Sequence, residues 1–351
     1  MKKSIIAMAV MVAAGTASAQ SSVTLFGVVD ATLQLGRGTL SDKTQLGNSG
    51  NASSRLGFRG TEDLGGGMAA SFWLEADVNP DNGTGVTTNT NNQASGTAVA
   101  AAGTQGLTFN RRSTVSLSGG WGELRLGRDY APNFLNLVMF DPFGLRGVGA
   151  SLTLQPGFTG LTTVRASNSI GYNLPGNLGG FYGQAQMYLG ENNTGPATED
   201  DGKGYGVRVG FASGPFNVAL ATNRTEYAAG DNRQSSIAGH WDFGFAKAMG
   251  QFTRDRVGAT DGRGWLIGGQ FPMGVGEIRA SYSAYETTAV GTPETKKLAL
   301  GYVHNLSKRT ALYTTWARAK NSGGAAVALN GSTTGANTSS SGLDIGLRHN
   351  F

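Results

Sequence analysis

Apolar and polar residues alternate with a period of two through most of this chain. In the run Val23-Thr24-Leu25-Phe26-Gly27-Val28-Val29, continuing to Leu33, the residues Val23, Leu25, Val29, Ala31 and Leu33 share one face. The next run sets Leu56 and Phe58 against Arg55 and Arg59, and another sets Phe72, Leu74 and Val78 against Glu75 and Asp77. Further on, Tyr205, Val207, Val209 and Phe211 oppose Arg208, Trp265, Ile267 and Phe271 share a face, and Ile278, Tyr282 and Ala284 oppose Glu277, Arg279 and Ser283. A spacing of two is the side-chain period of a strand, and roughly sixteen such runs fit along the chain. Each polar set would be costly against lipid and harmless against water.

The last run is the most telling. Leu343, Ile345, Leu347 and Phe351 lie on one face, Asp344, Gly346, Arg348 and Asn350 on the other, and the sequence stops on the aromatic. Chain ends fray unless something ties them down. A closed membrane barrel supplies the tie, because its last strand pairs with its first. Phe351 therefore reads as the closing residue and as an assembly signal. The predicted fold is all-β: a sixteen-stranded antiparallel transmembrane β-barrel.

The connections support that reading. Short ones, dense in Gly, Pro, Asn and Asp, lie at Glu62–Gly67, Gly119–Gly122, Pro175–Gly180, Ser213–Phe216, Pro272–Gly276 and Ser307–Thr310, as tight turns require. Long ones lie near Arg37–Ala52, Pro80–Gln105, Tyr130–Thr163, Asn192–Lys203 and Ser322–Ser340. Short turns at one end and long loops at the other is the layout of a bacterial outer-membrane barrel. The loop Tyr130–Thr163 stands apart because Phe134 to Phe140 is too apolar for bulk water. It is expected to fold inward, pack on the wall and set the aperture of a lumen that would otherwise be wide.

Composition narrows the class further. Met1-Lys2-Lys3, the apolar run Ile5 to Ala14 and Ala17-Ser18-Ala19 have the form of a secretory leader, with cleavage expected between Ala19 and Gln20. Residues 20–351 would then form the barrel domain, exported through the periplasm. Glycine, at 56 of 351 residues, is more than twice its usual share and argues against a helical protein. With no cysteine, a disulfide scaffold is excluded. The net charge of +5 includes Lys2 and Lys3 of the leader, which leaves too little to suggest a nucleic-acid partner.

At this point the chain resembles a general porin of the Gram-negative outer membrane, of the β-proteobacterial branch. The residues that carry the resemblance are Val23 to Asp30, the run Ser54-Arg55-Leu56-Gly57-Phe58-Arg59-Gly60-Thr61-Glu62-Asp63-Leu64-Gly65, Asn110-Arg111-Arg112 with Leu124-Arg125-Leu126-Gly127-Arg128, and the closing Gly346 to Phe351. The resemblance implies a sixteen-stranded homotrimer, a third extracellular loop folded into each pore, an arginine ladder on the facing wall, and passive diffusion of small hydrophilic solutes. It also implies the lipid and lipopolysaccharide of the outer membrane as surroundings. One departure matters. Such channels often place several acids on the constriction loop, whereas between Asp129 and Thr163 only Asp129 and Asp141 occur.

Parity assigns the candidate constriction. Arg55 and Arg59 face inward because Leu56 and Phe58 face lipid, and Arg165 does so because Ile170 and Tyr172 set its strand's outward phase. Arg112 is inward if Val115 and Leu117 are outward, the resemblance would pick Arg111, and a bulge would switch the two. Together with Asp141, these arginines are the expected pore-lining set. Arginine stays charged at any working pH, so a ring of them favours anions.

Other chemistry finds little footing. His240, His304 and His349 are too scattered for a metal site or a relay, Gly195 to Lys203 lacks the spacing of a phosphate loop, and Glu199-Asp200-Asp201 reads as a solvated acidic tip. No cofactor, metal or catalytic set is expected. Alternatives to the diffusion channel are a substrate-specific channel for sugars or organic anions, an outer-membrane hydrolase and a barrel with a plugged lumen.

Overall fold

The computed structural model describes residues 22–88, 92 and 106–351. Ala19, Gln20 and most of the loop expected at Pro80–Gln105 lie outside the described residues. One antiparallel sheet of 18 strands closes on itself. In chain order the strands are β1 (Ser22–Arg37), β2 (Lys43–Asn48), β3 (Arg55–Gly65), β4 (Met68–Asn79), β5 (Thr84–Gly85), β6 (Arg112–Gly119), β7 (Gly122–Tyr130), β8 (Arg165–Asn173) and β9 (Phe181–Tyr188). They continue as β10 (Gly204–Ser213), β11 (Phe216–Thr225), β12 (Asn232–Asp242), β13 (Lys247–Val257), β14 (Thr260–Met273), β15 (Gly276–Thr287), β16 (Glu294–Asn305), β17 (Thr310–Ser322) and β18 (Ser339–Asn350).

Sixteen of these are staves of the barrel, as the alternation predicts. The other two are short pieces of loop. β1 is long, and one of its edges is shared: Ser22 to Val28 pair with β3, while Ala31 to Gly36 pair with β2. β2 thus continues the sheet where β3 has stopped. β5 adds two pairs to the end of β4. Closure runs from Val28↔Asn350 to Arg37↔Ser341, and Phe351 and Gly27 then exchange backbone hydrogen bonds of 3.1 and 3.0 Å.

Burial is inverted relative to a water-soluble protein. Leu220, Ile237, Phe252, Ile267, Leu298 and Leu300 are exposed on the outer face, whereas Gln234, Ser236, Gln251, Thr253 and Ser281 are buried on the inner one. Aromatic residues gather at the short-turn end, where Phe216, Trp241, Phe243 and Phe245 form a chain of ring contacts 5.9–6.3 Å between centroids. Such belts mark the edge of the apolar band of a membrane barrel. At the opposite end, connections are long between β1 and β3, β4 and β6, β7 and β8, β9 and β10, and β17 and β18. The hairpins β11–β12, β13–β14 and β15–β16 turn quickly there instead.

The segment between β7 and β8 runs inside the barrel. It opens with helix α1 (Pro132–Met139), a feature the periodicity does not reveal, started by a proline at its first turn. Phe134 and Leu137 pack with Ala131 and Leu145. Phe140 then rests on Ala219 and Ala238, and Phe143 and Val148 rest on Ala299, Ala317 and Ala319. Inward alanines on the wall leave room for these larger loop side chains.

Candidate pore constriction

Hydrogen bonds hold this inner loop at many points around the wall. Asn136 Nδ2 donates to Ser236 Oγ at 2.9 Å, Gln251 Nε2 to the Leu137 carbonyl at 2.6 Å, and Gln270 Nε2 to the Pro142 carbonyl at 2.9 Å. The Val148 N–H donates to Asp344 Oδ2 at 2.8 Å, and Leu152 N–H to Ser283 Oγ at 3.2 Å. Lys297, 5% exposed, donates from Nζ to the carbonyls of Val148, at 3.1 Å, and Ala150. Two inward charged residues, Asp344 and Lys297, are thereby spent on anchoring.

Replacing Lys297 with methionine would leave both carbonyls without their donor. Charge-assisted bonds of this kind contribute roughly 1.5–3 kcal/mol each. The expected result is a loosened loop: a lower unfolding midpoint in detergent, and noisier single-channel currents than wild type. A variant as quiet and as stable as wild type would show that Lys297 is dispensable as an anchor.

The opposite wall, built by β3, β4, β6, β7 and β8, carries the arginines. In the ladder register Arg55 stands between Val28 and Asp77, and Arg59 between Thr24 and Trp73. Both face inward. Arg55 Nε lies 3.6 Å from Glu75 Oε1, and Arg55 Nη1 donates to the Ser53 carbonyl at 3.2 Å. Arg59 sits four residues further toward the short-turn end, stacked 5.3 Å from the Phe26 ring and 5.1 Å from Trp73.

Arg111 and Arg112 both turn inward, so the choice between them dissolves. Arg112 is the first ladder residue of β6, opposite Glu75, and stacks 4.6 Å from the Trp73 ring. Arg111 precedes the ladder and escapes its alternation. Its guanidinium, 3% exposed, donates to Glu75, to Asp77 Oδ1 at 2.7 Å and to the Tyr130 hydroxyl at 2.6 Å. Arg165 donates to the same hydroxyl at 3.2 Å and lies 4.6 Å over the Tyr130 ring. Nearby, Gly127 (φ 121°) takes a conformation that glycine accepts at little cost and marks a register shift in β7. Below it, Arg125 pairs with Glu123 at 2.7 Å and Asp129 at 2.6 Å.

A cavity of about 570 Å³ lies between the inner loop and the wall from β11 to β15, with Arg55 of β3 and the residues Asn51 to Ser53 also lining it. Four cations line it: Arg55, Arg146, Lys247 and Arg279. Three have carboxylate neighbours: Glu75 for Arg55, Asp242 for Lys247 at 3.7 Å, and Glu277 for Arg279 at 2.6 Å. Arg146, on the loop itself, has no carboxylate within 4 Å among the described residues. Burial, and after it the charge of Arg111, lowers its pKa to about 10, which still leaves it cationic at neutral pH.

Of the expected lining set, Arg55 and Asp141 border this cavity, whereas Arg59, Arg111, Arg112 and Arg165 do not. Arg59 shares the inner face but does not line the cavity, because parity fixes the face of a strand residue and not its height. Asp141 borders the cavity with its carboxylate already engaged: Oδ1 accepts from the Phe143 N–H at 2.7 Å and Oδ2 from the Ser151 N–H at 2.9 Å. Sequence parity missed Arg146, since loop residues have no alternation to obey. The available signal is that Arg146 is the single basic residue between Ala131 and Thr163.

Comparison with known proteins agrees with this architecture. A family model described as Gram-negative porin matches residues 6–324. Outer membrane porin protein 32 of Delftia acidovorans is 37% identical over the full length of both chains. An outer membrane porin protein of Bordetella pertussis is 27% identical over 92% of this chain and 95% of its own. Among solved structures, that of an anion-selective porin from Comamonas acidovorans superposes with a TM-score of 0.82 at 34% identity, covering 95% of this chain and all of that one.

Proposed function

The chain belongs to the Gram-negative porin family, a passive channel of the outer membrane, and from that premise we propose that its constriction favours anions. The observation that carries the proposal is the imbalance of charge around the cavity. Four cations border it, and the single lining carboxylate, Asp141, has both oxygens turned to backbone N–H groups. Physiological salt screens charge over about 8 Å, so an ion passing beside these side chains feels this lining. The Comamonas porin, described as anion-selective, points the same way.

The test is the reversal potential of single channels in a planar bilayer under a potassium chloride gradient. Anion preference should set its sign, and the preference should weaken in 1 M salt, where screening shortens to about 3 Å. A cation preference in the wild type overturns the proposal.

A further inference from the structure

The outer face of the barrel carries a second set of arginines that no passing ion meets. Near the long-loop ends of β11 to β14, outward positions change from apolar to basic: Leu220 is followed by Arg224, Ile237 is preceded by Arg233, and Phe252 is followed by Arg254 and Arg256. The ladders place like charges directly opposite one another, Arg224↔Arg233 and Arg233↔Arg256 in one row, Arg254↔Arg263 in the next. Facing like charges destabilise a sheet unless an anion lies between them.

The first row has its anions. Asp231 Oδ2 lies 2.8 Å from Arg224 Nη2 and 3.2 Å from Arg233 Nη2, and Asp261 Oδ1 lies 3.0 Å from Arg256 Nε. The second row has none. Arg254 and Arg263 are both exposed, and neither has a carboxylate within 4 Å among the described residues, although Glu286 is the ladder partner of Arg263. Below Arg254, on the side away from Arg263, the outer face opens into an apolar groove of about 430 Å³, walled by Val207, Leu220, Ile237 and Phe252, with Arg254 at its upper edge.

We propose that this groove and the Arg254–Arg263 pair form a docking site for the lipid A part of lipopolysaccharide, an acyl chain in the groove and a phosphate between the two guanidinium groups. The assignment rests on the outer-membrane location of the barrel, which turns the long-loop ends toward the outer leaflet. Arginine suits the role, because its planar fork binds phosphate in pairs of parallel hydrogen bonds. The like-charge pair stands where the apolar band ends, at the height of a lipid headgroup.

Native mass spectrometry of the purified protein in detergent, with lipid A as the probe, tests the site. Wild type should bind lipid A, and the double variant R254Q/R263Q should bind it about tenfold more weakly, a change of roughly 1.4 kcal/mol. Lipid A stripped of its phosphates should lose about as much affinity for the wild type, an arm that does not depend on the variant folding. Phosphatidylglycerol at equal concentration should fail to displace lipid A. Equal binding by the variant, equal binding of the dephosphorylated lipid, or displacement by phosphatidylglycerol overturns the assignment. Both arginines face away from the lumen, so the variant should keep the wild-type reversal potential. A cation-preferring wild type that still binds lipid A would refute the anion preference and leave this site standing.

Discussion

Glutamate at positions 55 and 146 together should turn the channel from anion-preferring to cation-preferring. Each exchange moves the local charge by two. The cavity lining would pass from four cations and one engaged carboxylate to Lys247 and Arg279 facing two new carboxylates. At 4 Å a unit charge is worth about 1 kcal/mol even in bulk water, and more beside a protein wall. Four units of change should therefore shift the anion-to-cation permeability ratio by about tenfold or more, enough to reverse the sign of the reversal potential. The two sites are chosen because their guanidinium groups can be exchanged without dismantling the wall. Arg111 could not be used, since it is buried on Glu75, Asp77 and Tyr130, and removing one partner of such a network costs roughly 3–5 kcal/mol. Retained anion preference in a folded R55E/R146E channel would place the filter elsewhere, with Lys247 and Arg279 as the next candidates.

What the sequence reveals and what it hides divide along a physical line. A strand residue has only two choices of face, so Arg55, Arg59, Arg112 and Arg165 could be turned inward from their apolar neighbours alone. Height along the strand has no such code, and Arg59 stands toward the short-turn mouth for that reason. Loop residues escape alternation altogether. Arg146 and the helix Pro132–Met139 could not be placed by it, and Arg111 escapes it by preceding its ladder. The apolar run from Phe134 to Phe140 does announce a segment that cannot sit in water, which is why the inward fold was legible while its helical form was not. The turn at Phe243–Ala246 hides for another reason. Its exposed Phe243 and Phe245 look like strand residues, because an interfacial turn carries rings where an aqueous one carries polar side chains. Hydrogen bonding is invisible too: Asp141 reads as a free acid, and only the fold shows its oxygens spent on Phe143 and Ser151.

A β-carbon at Gly27 is expected to weaken the seam that closes the barrel. Built on the backbone, it would lie 2.3 Å from Cζ of Phe351 and 2.6 Å from the carbonyl oxygen of Arg55. The first contact is with a ring that can swing. The second is with the backbone of β3, fixed by the pairs Val28↔Arg55 and Gly27↔Leu56. Overpacking of this kind costs about 1–3 kcal/mol, and here it falls where the last residue is tied to the first strand. Gly27→Ala should therefore lower stability by about 2 kcal/mol, and Gly27→Val should leave little heat-modifiable barrel on a gel after refolding. Phe351→Ala removes the ring but not the Arg55 carbonyl, so in a double-mutant cycle it should restore only part of what Gly27→Ala loses. Full restoration would mean that the ring alone dictates glycine at this position. No restoration would mean that β3 does, and that the terminal aromatic contributes to the seam through its backbone bonds to Gly27 rather than through its side chain.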